Sequence, residues 1–163
     1  MLEKVGIGQH RVLHRVGVLA AHGLGSCIGL FLYDSSVKVG GLAHIMLPGR
    51  KPEEVPVDSS RYAENAFENL TDQMARLGAS PGRIGAILIG GAHMFRDAYE
   101  DVRQTIGQKN QDAVLDMLRR RLVPIVAHDL GGEIGRTMEA DVSTGTVIVR
   151  TFRSGTKEFL WDL

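Results

Sequence analysis

Residues 27–47 read CIGLFLYDSSVKVGGLAHIML, two apolar runs of strand length on either side of Asp34-Ser35-Ser36. The three polar residues have turn chemistry, so this segment predicts a β-hairpin with strands over residues 27–33 and 38–47. Counted from the turn, this pairing places Cys27 and His44 close together at the same end of the sheet. The hairpin therefore organises both the predicted fold and the predicted site.

The rest of the chain predicts two helices and further strands around this hairpin. Apolar residues recur at helical spacing from Ala63 to Leu77, which predicts a helix that Ser59 or Ser60 can cap and that Gly78 ends. A second helix is predicted over 108–122, with Val114, Met117, Leu118 and Leu122 facing inward. Further strands are predicted over 16–21, 84–89, 124–127, 136–142 and 146–152, the last two joined at 143–145. The pattern predicts one α+β domain over residues 1–163, with mostly antiparallel strands and two long helices packed on the sheet.

Composition excludes several classes of partner. The chain has 163 residues with 19 Lys plus Arg against 19 Asp plus Glu, so its formal net charge is zero. Such a balance does not favour nucleic acid or an acidic membrane, and the basic cluster 119–121 is read as a solvated helix end. No apolar run is long enough to cross a bilayer and no signal segment begins the sequence. A cytoplasmic protein without membrane insertion is expected.

Cys27 is the single cysteine, and it is either a small buried apolar residue or a reactive thiol. It ends the stretch Gly23-Leu24-Gly25-Ser26-Cys27, whose glycines permit backbone conformations that a side chain forbids. A tight turn there could leave the amides of Ser26 and Cys27 unpaired, as an acyl-transfer reaction requires of its oxyanion donors. Gly25 and Ser26 are therefore candidate oxyanion or substrate-binding residues. A glycine loop that leads into an ordinary strand is the alternative.

His44 has two interpretations as well. An imidazole beside a thiol can take its proton, later protonate a leaving amine and then activate water. A lone histidine in an apolar strand can instead be a hydrogen-bonded core residue. His22, His44 and His93 could in principle join Cys27 at a zinc ion, but their spacing matches no recognised ligand pattern, so no metal site is predicted.

Five motifs give the sequence a specific resemblance. They are Gly23-Leu24-Gly25-Ser26-Cys27, Ala43-His44-Ile45-Met46-Leu47-Pro48, Gly90-Gly91-Ala92-His93-Met94-Phe95, Ile106-Gly107 with Asn110, and Asp129-Leu130-Gly131-Gly132 with Gly135-Arg136. In this order and spacing they resemble the CheD family, the chemoreceptor glutamine deamidases of bacterial chemotaxis. The resemblance extends roughly from Val5 to Phe152.

The resemblance implies a fold, an activity and partners. The fold would be a layered sandwich of mixed β-sheets with flanking helices, similar to cysteine-dependent toxin deamidases. Cys27 would be the nucleophile and His44 the general base in a hydrolase that converts receptor glutamine to glutamate through a thioester, with glutamate methyl esters as further substrates. No cofactor is required, and the implied partners are the cytoplasmic helices of chemoreceptors and a CheC-type phosphatase. A weakly active or inactive adaptor that binds these partners is the alternative.

One position departs from the family. A threonine that orients the histidine commonly lies six residues before the cysteine, and here that position is Ala21. The orienting role could be lost with a fall in activity, pass to a backbone carbonyl, or pass to His22.

The remaining motifs leave alternatives of their own. Gly91 and His93 either line a substrate groove or belong to a segment whose glycines only permit close packing. Asn110 is expected to pin a neighbouring loop through hydrogen bonds, and Asp129 with its two following glycines is expected to form a structural turn.

Overall fold

A computed structural model describes residues 1–94, 101, 105–153 and 155–163 of the chain. Within these ranges the protein forms ten β-strands and two α-helices. In chain order they are β1 (Leu2–Lys4), β2 (His10–His14), β3 (Val18–Leu24), β4 (Ile28–Asp34), β5 (Val39–Ile45), α1 (Ala63–Arg76), β6 (Gly85–Gly90), α2 (Ile106–Arg120), β7 (Ile125–Leu130), β8 (Arg136–Asp141), β9 (Val147–Thr151) and β10 (Gly155–Phe159). No helix in these ranges has the length and apolarity that crossing a bilayer requires.

The strands form two five-stranded sheets. Sheet A has the order β1-β3-β8-β9-β10, and sheet B has the order β2-β5-β4-β6-β7. Neighbouring strands are antiparallel except for the parallel pairs β1–β3 and β6–β7. The predicted α+β class, with mixed and mostly antiparallel sheets and two helices, is confirmed. The likeness to toxin deamidases stays a prediction.

Sheet B is the middle layer of the molecule and is buried on both faces. Along β4, Leu30 and Leu32 belong to the apolar cluster shared with α1 and α2, whereas Phe31 and Tyr33 pack in the cluster between the two sheets. This alternation follows from the two-residue period of a strand. It explains why β4 is a continuous apolar run, since each face meets a different apolar layer.

The predicted hairpin is confirmed as β4 and β5. Its register pairs Ile28 with Ile45 and Gly29 with His44. Cys27 lies just before β4, two residues from Gly29, and packs in the same inter-sheet cluster as Leu42 of β5. Because residues two apart in an extended chain share a face, Cys27 and His44 lie on the same face and at the same end of sheet B.

The helix ends differ from the sequence expectation at two places. Tyr62 is the N-cap of α1 and makes no capping bond through its side chain. The predicted caps are wrong because the chain is still irregular at Ser59 and Ser60, and the Ser60 hydroxyl instead pairs with His10 Nδ1 at 2.7 Å. Leu122 was expected to face inward but is 88% exposed, because α2 ends at Arg120 and the backbone turns left-handed at Leu122 (φ 58°).

The sequence patterns did not indicate three of the strands, β1, β2 and β10. They are short, partly exposed strands at the edges of the sheets, so their residues lack a strict apolar alternation. β1 nevertheless positions the candidate site, because it places Val5 beside β3 through a hydrogen bond from Val5 N to Ala20 O at 2.7 Å.

Candidate active site

Cys27 lies in the turn between β3 and β4, at the rim of the core between the sheets. Its residue surface is 8% exposed. Its carbonyl oxygen accepts a hydrogen bond of 2.9 Å from the Gly91 amide. Burial raises the pKa of the Cys27 thiol above its ordinary value, because a thiolate loses hydration in this setting. The resting sulfur is therefore protonated at neutral pH.

His44 is held by a backbone carbonyl. Its Nδ1 lies 3.2 Å from the carbonyl oxygen of Val5, and only 2% of the residue is exposed. A carbonyl can only accept, so Nδ1 carries the hydrogen and Nε2 keeps its lone pair. Nε2 is buried and has no hydrogen-bond partner among the described residues. Burial lowers the pKa of His44 and outweighs the opposing hydrogen bond to Val5, so the ring is neutral and has the tautomer that a general base needs.

No hydrogen bond joins the Cys27 sulfur to the His44 ring in this structure. The thiol is kept neutral by its raised pKa and the imidazole by its lowered pKa. The resting arrangement is thus a neutral thiol and a neutral base on one face of the sheet, rather than an ion pair. Catalytic hydrogen bonds are often absent or long before substrate binds, so proton transfer would belong to the reacting complex.

Ser26 and Cys27 carry the amide groups of the turn. Among the described residues, neither N–H donates a hydrogen bond, although the Gly91 amide donates to the Cys27 carbonyl. The amides at this turn are thus available as donors, and their role in binding an oxyanion stays a prediction. Of its two glycines, Gly23 has the left-handed φ of 64°, whereas Gly25 makes room for the Met94 side chain, which a Cβ there would meet at 3.0 Å.

Two consecutive residues of α2 reach the backbone around Cys27. Asn110 Nδ2 donates to Ser26 O at 2.9 Å and to Met46 O at 3.0 Å. Gln111 Nε2 donates to Gly91 O at 2.7 Å. The expectation that Asn110 pins a neighbouring loop is confirmed. Sequence patterns gave no signal for Gln111 or for Val5, because one acts on a loop distant in sequence and the other through its backbone.

Next to the nucleophile turn lies a cleft of about 260 Å³. It is lined by Ser26, Ala92, His93, Met94, Thr105, Ile106 and Gly107. The sequence motif that begins at Gly90 therefore borders this cleft, although its Phe95 falls outside the described residues. Within the motif, Gly91 has a φ of 67° and His93 N donates to Gly132 O at 2.9 Å. A substrate-binding role for Gly91 and His93 stays a prediction.

In the Asp129 motif, the buried Arg136 side chain joins the ends of β6 and β7. Arg136 donates to Gly90 O at 3.1 Å and to Gly131 O at 2.6 Å, and its Nε lies 3.5 Å from Asp129 Oδ2. Gly131 and Gly132 both have left-handed φ values. Asp129 was expected to begin a structural turn, but it belongs to β7, and the chain leaves the strand only at the two glycines that follow Leu130. Among the residues that the structure describes, no three His, Cys, Asp or Glu side chains are grouped as metal ligands.

Comparisons with known proteins identify the family. The family model described as CheD chemotactic sensory transduction matches residues 46–151. A relative from Thermococcus kodakarensis, named "Probable chemoreceptor glutamine deamidase CheD", is 41% identical over 152 residues, which cover 93% of this chain and 94% of its own. The chain belongs to the CheD family. Relatives from Geobacter metallireducens (37% over 155 residues, 94% of this chain and 96% of the relative) and Desulforamulus reducens (40% over 154 residues, 94% and 93%) carry the same description, the former as "CheD 2".

CheD family membership makes the surroundings of Ala21 informative. Ala21 is completely buried in the inter-sheet core, whereas the neighbouring His22 is exposed. The Nδ1 atom of His44 is paired with the Val5 carbonyl. Of the outcomes that the sequence left open, a backbone carbonyl is therefore the group that holds the ring in this structure. Val5, the residue that directly follows β1, supplies this group, and it lies outside the range of the family model.

The raised pKa of Cys27 predicts its reactivity. Alkylation of the folded protein by iodoacetamide should rise with pH around a midpoint above that of the same thiol in urea, because only the thiolate attacks. Rates measured from pH 6 to 11 on folded and unfolded chains provide the comparison, with the unfolded chain as its own control. A folded midpoint below the unfolded one would contradict the neutral resting state.

Gly90→Ala should destabilise the site and the fold together. Gly90 has a φ of 119°, and a Cβ there would overlap the Cys27 carbonyl oxygen. We expect a loss of about 3 kcal/mol in the free energy of unfolding, from backbone strain and the forced shift of Cys27. Gly82→Ala is the matched control, because a Cβ at Gly82 meets nothing within 4 Å. Urea denaturation measures both variants, and equal effects would refute the prediction.

Proposed function

We propose that this protein hydrolyses glutamine side-chain amides of chemoreceptors to glutamate, with Cys27 as nucleophile and His44 as general base. The observation that carries the proposal is the state of His44, whose Nε2 lone pair is unpaired on the same face and end of sheet B as Cys27. The relatives' description as chemoreceptor glutamine deamidases supplies the substrate class.

The first half of the reaction forms a thioester. His44 Nε2 takes the proton of the Cys27 thiol as sulfur attacks the carboxamide carbon, and the carbonyl oxygen becomes an oxyanion. The unpaired amide of Cys27 donates a hydrogen bond to that oxygen, with the Ser26 amide as a second candidate donor. The imidazolium then gives its proton to the departing nitrogen, and ammonia leaves.

The second half releases glutamate. His44 takes a proton from water, and the resulting hydroxide attacks the thioester carbon. The carbon–sulfur bond breaks, and the proton returns to sulfur, so the net reaction consumes one water and yields a carboxylic acid and ammonia. A glutamate methyl ester would follow the same steps with methanol as the leaving group. None of the steps draws on a cofactor.

The proposal includes the setting of the enzyme. The substrate glutamines would lie on cytoplasmic receptor helices, so a cytoplasmic location is part of the proposal. A CheC-type phosphatase is proposed as a second partner, on the strength of the family resemblance alone.

A second candidate function is an adaptor that binds receptors or the phosphatase with little or no catalysis. The observation in its favour is the resting state of Cys27, whose raised pKa and missing hydrogen bond to His44 leave the thiol unactivated. The buried Ala21 methyl, in place of the family's threonine, also favours the adaptor.

One assay separates the two candidates. Purified protein is incubated with a receptor cytoplasmic fragment, and ammonia release is followed together with mass spectrometry of the receptor peptides. Conversion of particular glutamines to glutamate supports the enzyme. Stable binding of the fragment without any conversion supports the adaptor and refutes the proposed activity.

A further inference from the structure

The hydrogen-bond ladder between β4 and β6 stops unevenly at Cys27. Facing residues of an antiparallel ladder alternate between pairs that exchange both N–H to carbonyl bonds and pairs that exchange none. Cys27 and Gly91 follow the last registered pair, Ile28 and Gly90, at a position where both bonds would be exchanged. Gly91 donates to the Cys27 carbonyl at 2.9 Å, but the reciprocal bond from Cys27 N to Gly91 O is missing. In the part of the chain that the structure describes, the Cys27 amide therefore has no partner at the end of an otherwise paired strand.

Gln111 binds the carbonyl that the reciprocal bond would need. Its Nε2 donates to Gly91 O at 2.7 Å, so this carbonyl is directed toward α2. The left-handed φ of Gly91 turns this carbonyl, and a Cβ on Gly91 would meet Gln111 Cγ at 2.6 Å. Close contact between the loop and α2 thus depends on glycine at this position.

Asn110 binds the carbonyl of the Ser26–Cys27 peptide group, whose N–H is the unpaired Cys27 amide. The Ser26–Cys27 peptide is trans, since the described residues contain no cis bonds. Its carbonyl and N–H consequently point in opposite directions. Asn110 Nδ2 holds the Ser26 carbonyl at 2.9 Å, so the Cys27 N–H points away from Asn110. Both acceptors of Asn110 are carbonyl oxygens, which requires that its NH₂ group, and not its oxygen, face them.

The Asn110 side chain also links this turn to the end of β5, the strand that carries His44. Asn110 also donates to the carbonyl of Met46, two residues after His44, at 3.0 Å. It is completely buried, so its contacts do not compete with bulk water. One amide group therefore ties the backbone before the nucleophile to the backbone after the base.

We infer that Asn110 and Gln111 are positioning residues that keep the Cys27 N–H unpaired and oriented to bind the oxyanion formed during acyl transfer. Asn110 sets the plane of the peptide, and Gln111 prevents the amide from closing back onto Gly91. This inference rests on the proposed function for Cys27 as the nucleophile, but it concerns oxyanion binding and not the identity of the substrate.

The test compares two reactions of the same sulfur. p-Nitrophenyl acetate acylates a thiol through an oxyanion, whereas iodoacetamide alkylates it by direct displacement without one. Asn110→Leu and Gln111→Met should each lower the acylation rate constant by about 10²-fold, the usual cost of losing one oxyanion donor. The alkylation rate and its pH profile should stay unchanged. Gln108→Met is the matched control on the same helix, because the Gln108 side chain donates to Asp112 on the surface and its bond to Thr105 is made by the backbone.

The outcomes distinguish the inference from other roles. Equal losses in acylation and alkylation would indicate a general structural role and overturn it, as would unchanged acylation in Gln111→Met, which is half-buried and expected to fold. Wild-type protein that is acylated by the ester but leaves receptor glutamines intact would refute the proposed function, while the comparison of acylation with alkylation in the Asn110 and Gln111 variants would still test the inference. Wild-type protein that is not acylated at all would overturn both.

Discussion

Cys27→Ala is expected to lower the rate of receptor glutamine deamidation by at least about 10⁴-fold, because the covalent step loses its nucleophile. No other cysteine exists in the sequence to replace it. The measurement is ammonia release from a receptor cytoplasmic fragment, under conditions in which wild-type protein converts its target glutamines.

The Cys27 substitution also separates catalysis from binding. Alanine fits the space of a residue that is 8% exposed, so the fold and the receptor-binding surface should be retained. Cys27→Ser serves as the matched control for shape, and its much weaker hydroxyl nucleophile should also be nearly inactive. If either variant deamidates at a rate near that of the wild type, the nucleophile is another group and the assignment is wrong.

His44→Gln should reduce the same rate by about 10³-fold, within the range that general acid–base catalysis contributes. Glutamine can still occupy the buried position, but it cannot accept the thiol proton and return it to the leaving nitrogen. The KM for the receptor fragment should change little, since His44 is buried and acts in the chemical steps.

The pH dependence gives this prediction a second readout. Burial places the pKa of His44 below its ordinary 6.5, and only the neutral ring is a base. Activity should therefore persist as pH falls to 6.5 and decline only below it, as the ring becomes protonated. The acid limb should disappear in His44→Gln and remain in the control His14→Gln, an exposed residue of β2. A wild-type acid limb centred well above 6.5 would contradict the role assigned to His44.

The group that holds His44 is a backbone carbonyl and not a side chain. Where a threonine would be expected to orient the histidine, this chain has a buried alanine, and the ring is held by the Val5 carbonyl. A backbone acceptor is independent of the side chain at position 5. Substitution at that position can therefore preserve the tautomer of His44 as long as β1 stays paired with β3.

Local patterns in the sequence were sufficient to predict the central hairpin. Two apolar runs around Asp34-Ser35-Ser36 have the length and turn chemistry of paired strands, and the observed register places Gly29 opposite His44. The two helices and most strands were predicted for the same reason, since apolar spacing reports which face is buried. The single domain over residues 1–163 and the catalytic roles of the site residues stay predictions.

Edge strands and helix ends were predicted less well, because their conformation depends on contacts with residues distant in sequence. β1, β2 and β10 pair at the sheet edges with little apolar alternation, and Ser60 binds His10 instead of capping α1. A sequence pattern records local preference, whereas these positions depend on which distant group lies alongside them.

By itself, the sequence determined that one cysteine follows a glycine turn and that one histidine lies near it on the partner strand. Only the tertiary structure decided how these groups are held: Val5 fixes the tautomer of His44, and α2 keeps the Cys27 amide unpaired. The physical reason is that these restraints act on carbonyl and amide groups, which every residue carries. Such groups acquire a role only when folding brings segments distant in sequence into contact.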